Sequence, residues 1–188
     1  MKVRASAQVS ETPVAMNVGK AITAVSQLCP NCGLCCNGVL FADVQLRKSD
    51  DVRRLAGLGL SLERKGRKQV FAQPCACFDG KFCGIYAERP VRCRTFECGL
   101  LKRVQNGELG ANAALKTIAQ TKRQAEKVRG LLRKIGQFDE RLALTERYGQ
   151  AMTAPVDLSD GKASAGLPGK LMLVFRDLMR TLHGEFLE

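Results

Sequence analysis

Four of the nine cysteines in this chain fall within eight positions, in the stretch CPNCGLCC at 29–36. Thiols at that density close disulfides, carry redox chemistry or hold a metal through their thiolates. Cys29, Cys32 and Cys35 are spaced CxxCxxC. Three successive thiolates at that spacing can turn into one concave loop and take three corners of an iron–sulfur cubane. A fourth ligand then has to come from elsewhere, and Cys36, facing away from Cys35, need not serve the same site. Zinc is the rival. Structural zinc sites prefer two CxxC-type knuckles brought together, whereas Cys75, Cys77, Cys83, Cys93 and Cys98 contain no CxxC among them. The spacing therefore favours a [4Fe–4S] cluster, with interleaved zinc sites as the alternative.

The distal cysteines lie in CGIYAERPVRCRTFEC, residues 83–98. Arg89 precedes a proline, which biases it to an extended conformation, and Pro90 suits the first turn of a short helix. Cys93 then falls in that first turn, where free amides and the helix dipole favour an anionic sulfur. Arg89, Arg92 and Arg94 can add charge and hydrogen bonds around thiolate sulfur. The only histidine, His183, sits near the C-terminal end on an expected surface turn, far in sequence from any cysteine. It reads as an exposed residue and not a ligand, and a cysteine-nucleophile hydrolase lacks its base.

A chain of 188 residues is long enough to build a hydrophobic core without staples. No early apolar run has signal-peptide length, and no uncharged stretch approaches the roughly 18 residues that would span a bilayer, so a cytoplasmic protein without a membrane partner is expected. Cytosolic thiols stay reduced, which turns a dense cysteine pattern toward metal or redox use. The odd count of nine, and the strain of bridging neighbours such as Cys35 and Cys36, argue the same way.

The formal charge is +12, from 30 Lys plus Arg against 18 Asp plus Glu. Each four-thiolate site around a 2+ centre would lower that excess by about two. The basic run from Arg53 to Lys68 could meet phosphates, yet aromatic residues are 5% of the chain and Trp is absent. Platforms for stacking bases are therefore scarce, and a nucleic-acid partner is only weakly supported.

The elements that must position these thiols divide the chain in two, since every cysteine lies between Cys29 and Cys98. Residues 1–20 read as a flexible arm, 21–106 as the cysteine-cluster region and 107–188 as a helical region packing on it, one domain in all. A short helix is expected after a capping Ser49 or Asp50, with Val52, Leu55 and Ala56 on one face and Gly57 and Gly59 ending it. Asp79-Gly80 signals a hairpin, and a three-residue loop would set Cys75 opposite Cys83. Ile118, Ala125 and Leu132, with Val128 and Ile135 four residues out of phase, draw a helical seam over about 113–135. Phe138–Ala151 would continue it after Gly136, and Pro155–Gly169 reads as loop. Pro168 could open a last helix striped by Leu171, Phe175, Leu178 and Leu182. The fold class is α-rich with a small β-hairpin: an irregular cysteine core plus two or three C-terminal helices.

Together CPNCGLCC, Cys75 in CACFD, and CGIYAERPVRCRTFEC resemble the CxxCxxCC cysteine-cluster family, described as zinc- or iron-chelating domains. The resemblance covers about residues 29–98 and implies Cys29, Cys32, Cys35, Cys36, Cys75, Cys83, Cys93 and Cys98 as the metal-binding set, with Tyr86, Arg89, Pro90 and Arg94 from the signature. Cys77 falls where the family has an apolar residue, which makes it the extra thiol. The family includes domains in flagellin lysine N-methylases, so a link to methyl transfer is implied. Against a self-contained methyltransferase, no strand leads into a glycine-rich turn that would seat a nucleotide-like cofactor. Three functions therefore compete: a metal-binding protein with a structural or electron-transfer role, an enzyme acting on protein lysine or by redox, and a zinc-structured protein with a nucleic-acid or protein binding surface.

Overall fold

The seven-residue recurrence of Ile118, Ala125 and Leu132 produces the longest helix among the described residues. The structure, a computed structural model, describes residues 27–153 and 166–188. The expected arm and residues 155–165 of the expected loop lie outside them. Helix α5 (Ala111–Lys134) buries Ala114, Ile118, Thr121, Ala125, Val128, Leu131 and Leu132 along one face. That is the seam expected of 3.6-residue periodicity. Thr121, polar within it, is satisfied by donating from Oγ1 to the carbonyl of Thr117 at 2.8 Å. The seam packs against α7 (Gly166–Leu182), which buries Leu171, Leu178 and Leu182 and half-buries Phe175. The α7 stripe is the expected one, but the helix starts before Pro168. Pro168 is accommodated because the first turn of a helix has no amide partners to lose.

Between them stands α6 (Leu144–Thr153), whose Tyr148 stacks on Phe175 with ring centroids 3.8 Å apart. It does not continue α5. Gly136 adopts φ +89, ending the helix, and residues up to 143 form an irregular connection. Arg147, almost wholly buried, ties that connection down by donating from Nη2 to the Gln137 carbonyl at 2.9 Å. After α7 a π-helical turn, His183–Leu187, drives Phe186 into the same core and leaves His183 exposed.

The cysteine half carries a three-stranded antiparallel sheet in the order β1 (Asp43–Gln45), β3 (Lys68–Ala72), β2 (Leu62–Lys65). Strands β2 and β3 pair Lys65 with Lys68 around Gly66, so the regular hairpin forms there. Asp79-Gly80 closes only a single bridge, Phe78 to Cys83, and Cys75 is therefore not opposite Cys83. The asparagine-like capping ability of Asp79 explains the shift. Its Oδ1 accepts from the amides of Lys81 and Phe82 at 2.8 and 2.6 Å and its own amide donates to the Phe82 carbonyl at 3.1 Å, which closes residues 79–82 into a four-residue loop, one residue longer than expected.

Helix α2 (Val52–Gly57) is capped by Asp51, which accepts from the Arg54 amide at 3.0 Å, not by Ser49 or Asp50. Only Leu55 of its expected face is buried, and Val52 and Ala56 are exposed. Leu55 joins Leu46, Leu60 and Phe71 in an apolar cluster of its own, separate from the one built by the helices. The fold is α-rich with a small antiparallel sheet, as expected. No helix among the described residues is long and apolar enough to cross a membrane.

Truncating Leu132, fully buried in the α5 seam, to Ala is expected to cost about 2–5 kcal/mol in denaturant unfolding. Val52→Ser, on an exposed face, should stay within about 0.5 kcal/mol.

Candidate metal centre

Residues 27–32 form one helical stretch, α1, so Cys29 and Cys32 stand three apart on one face. The chain then turns sharply at Gly33, φ +70, whose carbonyl accepts from the amides of Cys36 and Asn37, both at 3.0 Å. Positive φ is open to glycine at little cost. Here a side chain is also barred sterically, because a Cβ on Gly33 would come 2.7 Å from the Phe78 ring. The turn throws Leu34 into the helical core and carries Cys36 round to Cys75.

The helical half holds this loop by its carbonyls. Lys122 Nζ donates to the Asn31 carbonyl at 3.3 Å and Arg129 Nη2 to that of Asn37 at 3.1 Å. At the loop's exit the amide of Leu144 donates to the Gly38 carbonyl at 2.8 Å. Sequence reasoning missed these contacts. Lys122 and Arg129 are seven apart, on one side of α5, but nothing in their spacing names the acceptors.

The distal cysteines are brought in by short irregular segments. The Cys75 amide donates to the Cys36 carbonyl at 2.8 Å, joining the two motifs directly, and the Phe78 amide donates to the Cys75 carbonyl at 3.0 Å. A 3-10 turn, Tyr86–Glu88, leads to Arg89, which is extended as expected of a residue before proline (ψ 143). Helix α3 (Val91–Thr95) follows Pro90 and carries Cys93. Its start is fixed from a distance, since Asp50 Oδ1 accepts from the Val91 amide at 2.8 Å. Asp50 thus caps a helix 41 residues away, not the one beside it. Cys98 lies immediately before α4 (Gly99–Gln105).

All nine thiols are free. Burial is the main influence on most of them, pushing Cys32, Cys75 and Cys93 up to about 12 and Cys36 to about 11. Cys35 is driven well above the ordinary 9.0 by burial, then by the like charges of Cys32, Cys36, Cys98 and Cys29. Cys29 is itself exposed, and the mass of protein around its sulfur, followed by the charge of Cys98, raises it. Cys98 is raised by burial as well, against the opposing pull of the backbone amides of Leu101 and Leu100. Enclosed thiols resist ionising because the charged form loses its hydration.

Of the three arginines, Arg89 is the one that acts on several cysteines. After burial, its charge lowers Cys29, Cys36 and Cys93. It is held with its guanidinium 3.7 Å from the centre of the Tyr86 ring and its Nε donating to the Tyr86 carbonyl at 3.0 Å. Arg92 is half-buried with no hydrogen-bond partner for Nε among the described residues, and Arg94 is exposed. Cys77, the surplus thiol, donates to the Leu58 carbonyl at 3.5 Å.

Among the described residues, no three His, Cys, Asp or Glu side chains already converge closely enough to grip an ion. The chemistry of the donor set still fits a metal. All nine thiols are free and Cys35 lies near enough to feel the charges of Cys32, Cys36, Cys98 and Cys29, and thiolate is the donor that suits zinc and iron–sulfur centres alike.

Residues 28–126 match the model of the CxxCxxCC family, described as "Putative zinc- or iron-chelating domain". No curated protein and no solved structure matches the chain.

Because the enclosed thiols keep their protons at neutral pH, zinc binding should release close to one proton for each thiol it takes. Calorimetry in two buffers of different ionisation enthalpy would show this as a buffer-dependent heat, with affinity falling from pH 8 to pH 6. Equal heats in both buffers would contradict it. For the metal-free protein the sign reverses. Unfolded thiols ionise near the ordinary 9.0 while the folded Cys32, Cys75 and Cys93 hold their protons to about 12, so its melting temperature should fall as pH rises through that window.

Proposed function

The chain belongs to the CxxCxxCC family of zinc- or iron-chelating domains, and from that premise we propose that its eight family cysteines, Cys29, Cys32, Cys35, Cys36, Cys75, Cys83, Cys93 and Cys98, hold iron–sulfur in a structural or electron-transfer role. The observation that carries the reading is the direct meeting of the two motifs, 29–36 and the segment beginning at Cys75, through the Cys36 carbonyl. Iron–sulfur is favoured over zinc by the CxxCxxC run, which offers three ligands to one cubane.

The protein's own part is to present the sulfurs and set their surroundings. Gly33 and Phe78 shape the loop, Lys122 and Arg129 fix it to α5, and Arg89 supplies positive charge beside thiolates that must stay ionised. Once bound, a cluster would add one-electron chemistry, or simply tie the irregular segments together. This use requires thiols kept reduced, as in the cytoplasm.

Anaerobic purification followed by iron, sulfide and zinc analysis, with the ultraviolet–visible spectrum, tests the reading. About four irons and four sulfides for each cluster with a brown chromophore are expected. Zinc without sulfide or chromophore would replace iron–sulfur with a structural zinc protein, and no metal at all would overturn both. Cys77→Ala should leave metal content unchanged.

A further inference from the structure

We infer that the eight cysteines make two adjoining four-thiol metal centres, one of Cys29, Cys32, Cys35 and Cys98 and the other of Cys36, Cys75, Cys83 and Cys93, parted at the Cys35–Cys36 peptide bond. This rests on the reading that those eight residues are the metal ligands.

Packing is the first ground. Cys32 and Cys98 are seated against the helical core of Leu28, Leu34, Leu100 and their neighbours. Cys75 and Cys93, together with Cys77, are seated against the other cluster, Leu46, Leu55, Leu60 and Phe71. The two centres thus have different floors.

Backbone geometry gives the second. Cys29 and Cys32 share a face of α1, and the Gly33 turn carries the chain away from it. The Cys36 carbonyl is already bonded to the Cys75 amide, so Cys36 is committed to the distal group. Cys83 is carried alongside by its bridge to Phe78, whose amide is in turn bonded to the Cys75 carbonyl. Consecutive residues send their side chains apart, which lets Cys35 and Cys36 serve different centres without strain.

Proximity of charge agrees. The cysteine common to Cys29, Cys32 and Cys35 is Cys98, and the cysteines that act most on Cys93 are Cys36, Cys75 and Cys83. Contacts across the divide involve Cys36 with Cys35 and Cys29, as the junction requires. Two four-thiolate centres each carry about two net negative charges and repel one another. Arg89 acts on Cys29 in the first and on Cys36 and Cys93 in the second, which places its charge where that repulsion is greatest. Cys77 neighbours Cys75 and Cys83 yet turns its S–H to the Leu58 carbonyl. It is left outside both.

Zinc(II) is the probe, since it fills tetrathiolate sites whatever the resident metal. The loaded full-length chain should hold two zincs and alkylate only at Cys77. Cys98→Ala should hold one, exposing Cys29, Cys32 and Cys35 to iodoacetamide while the distal four stay protected; Cys93→Ala should do the converse. Circular dichroism checks that each variant folds. Should one fail to, wild type at limiting chelator decides, because each half-loaded chain must show four protected thiols from a single quartet by peptide mass mapping. One zinc per chain, protected sets that mix the quartets, or loss of both zincs from a folded single variant would overturn the division. A wild-type chain that binds no zinc would instead remove the metal reading beneath it.

Discussion

Thiolates packed beside one another repel, and enclosing them removes the water that would screen that repulsion. In this protein both effects act on the same few side chains: Cys35 is raised by burial and then by four other cysteines in turn. Without a cation the affordable state is the protonated thiol, which binds no metal and joins nothing together. With one, the same crowding becomes an asset, because each lost proton is replaced by a strong bond to a shared positive centre. The rest of the structure serves to bring the sulfurs into that crowded state despite a chain that has little regular structure around them.

The helical half supplies the rigidity. Two carbonyls of the loop 33–38, those of Asn37 and Gly38, are taken up by Arg129 and the Leu144 amide, and Lys122 holds the Asn31 carbonyl just before it. Leu34 adds an apolar anchor in the same core. The sheet and α2 perform the corresponding service for the distal cysteines through the Leu46, Leu55, Leu60 and Phe71 cluster. Asp50 is the link between the two segments of that half, accepting from Arg47 within its own turn and from Val91 at the head of the helix that bears Cys93.

The parts of this arrangement that were legible in the sequence are those governed by periodicity or by a single residue's conformational preference. The α5 seam and the α7 stripe follow from 3.6-residue spacing, and the extended Arg89 with its following helix follows from Pro90. What could not be read depends on long-range pairing. Asp50 and Asp51 are adjacent and chemically alike, and only the fold decides that one caps α2 while the other reaches Val91. The turn at Asp79 was visible, but its register depends on which amides Asp79 captures, and those put Phe78, not Cys75, across from Cys83. The cysteine motifs offered candidate donors, and the proposed grouping required knowing that Cys32 and Cys98 pack on one apolar cluster and Cys75 and Cys93 on another.

The claim at the centre is that this chain's thiols, and no other side chains, coordinate its metal. X-ray absorption at the metal edge of the natively purified protein tests that most directly. An all-sulfur first shell, at about 2.3 Å if the metal is zinc, is the result expected. A first shell containing nitrogen or oxygen from the protein would contradict it.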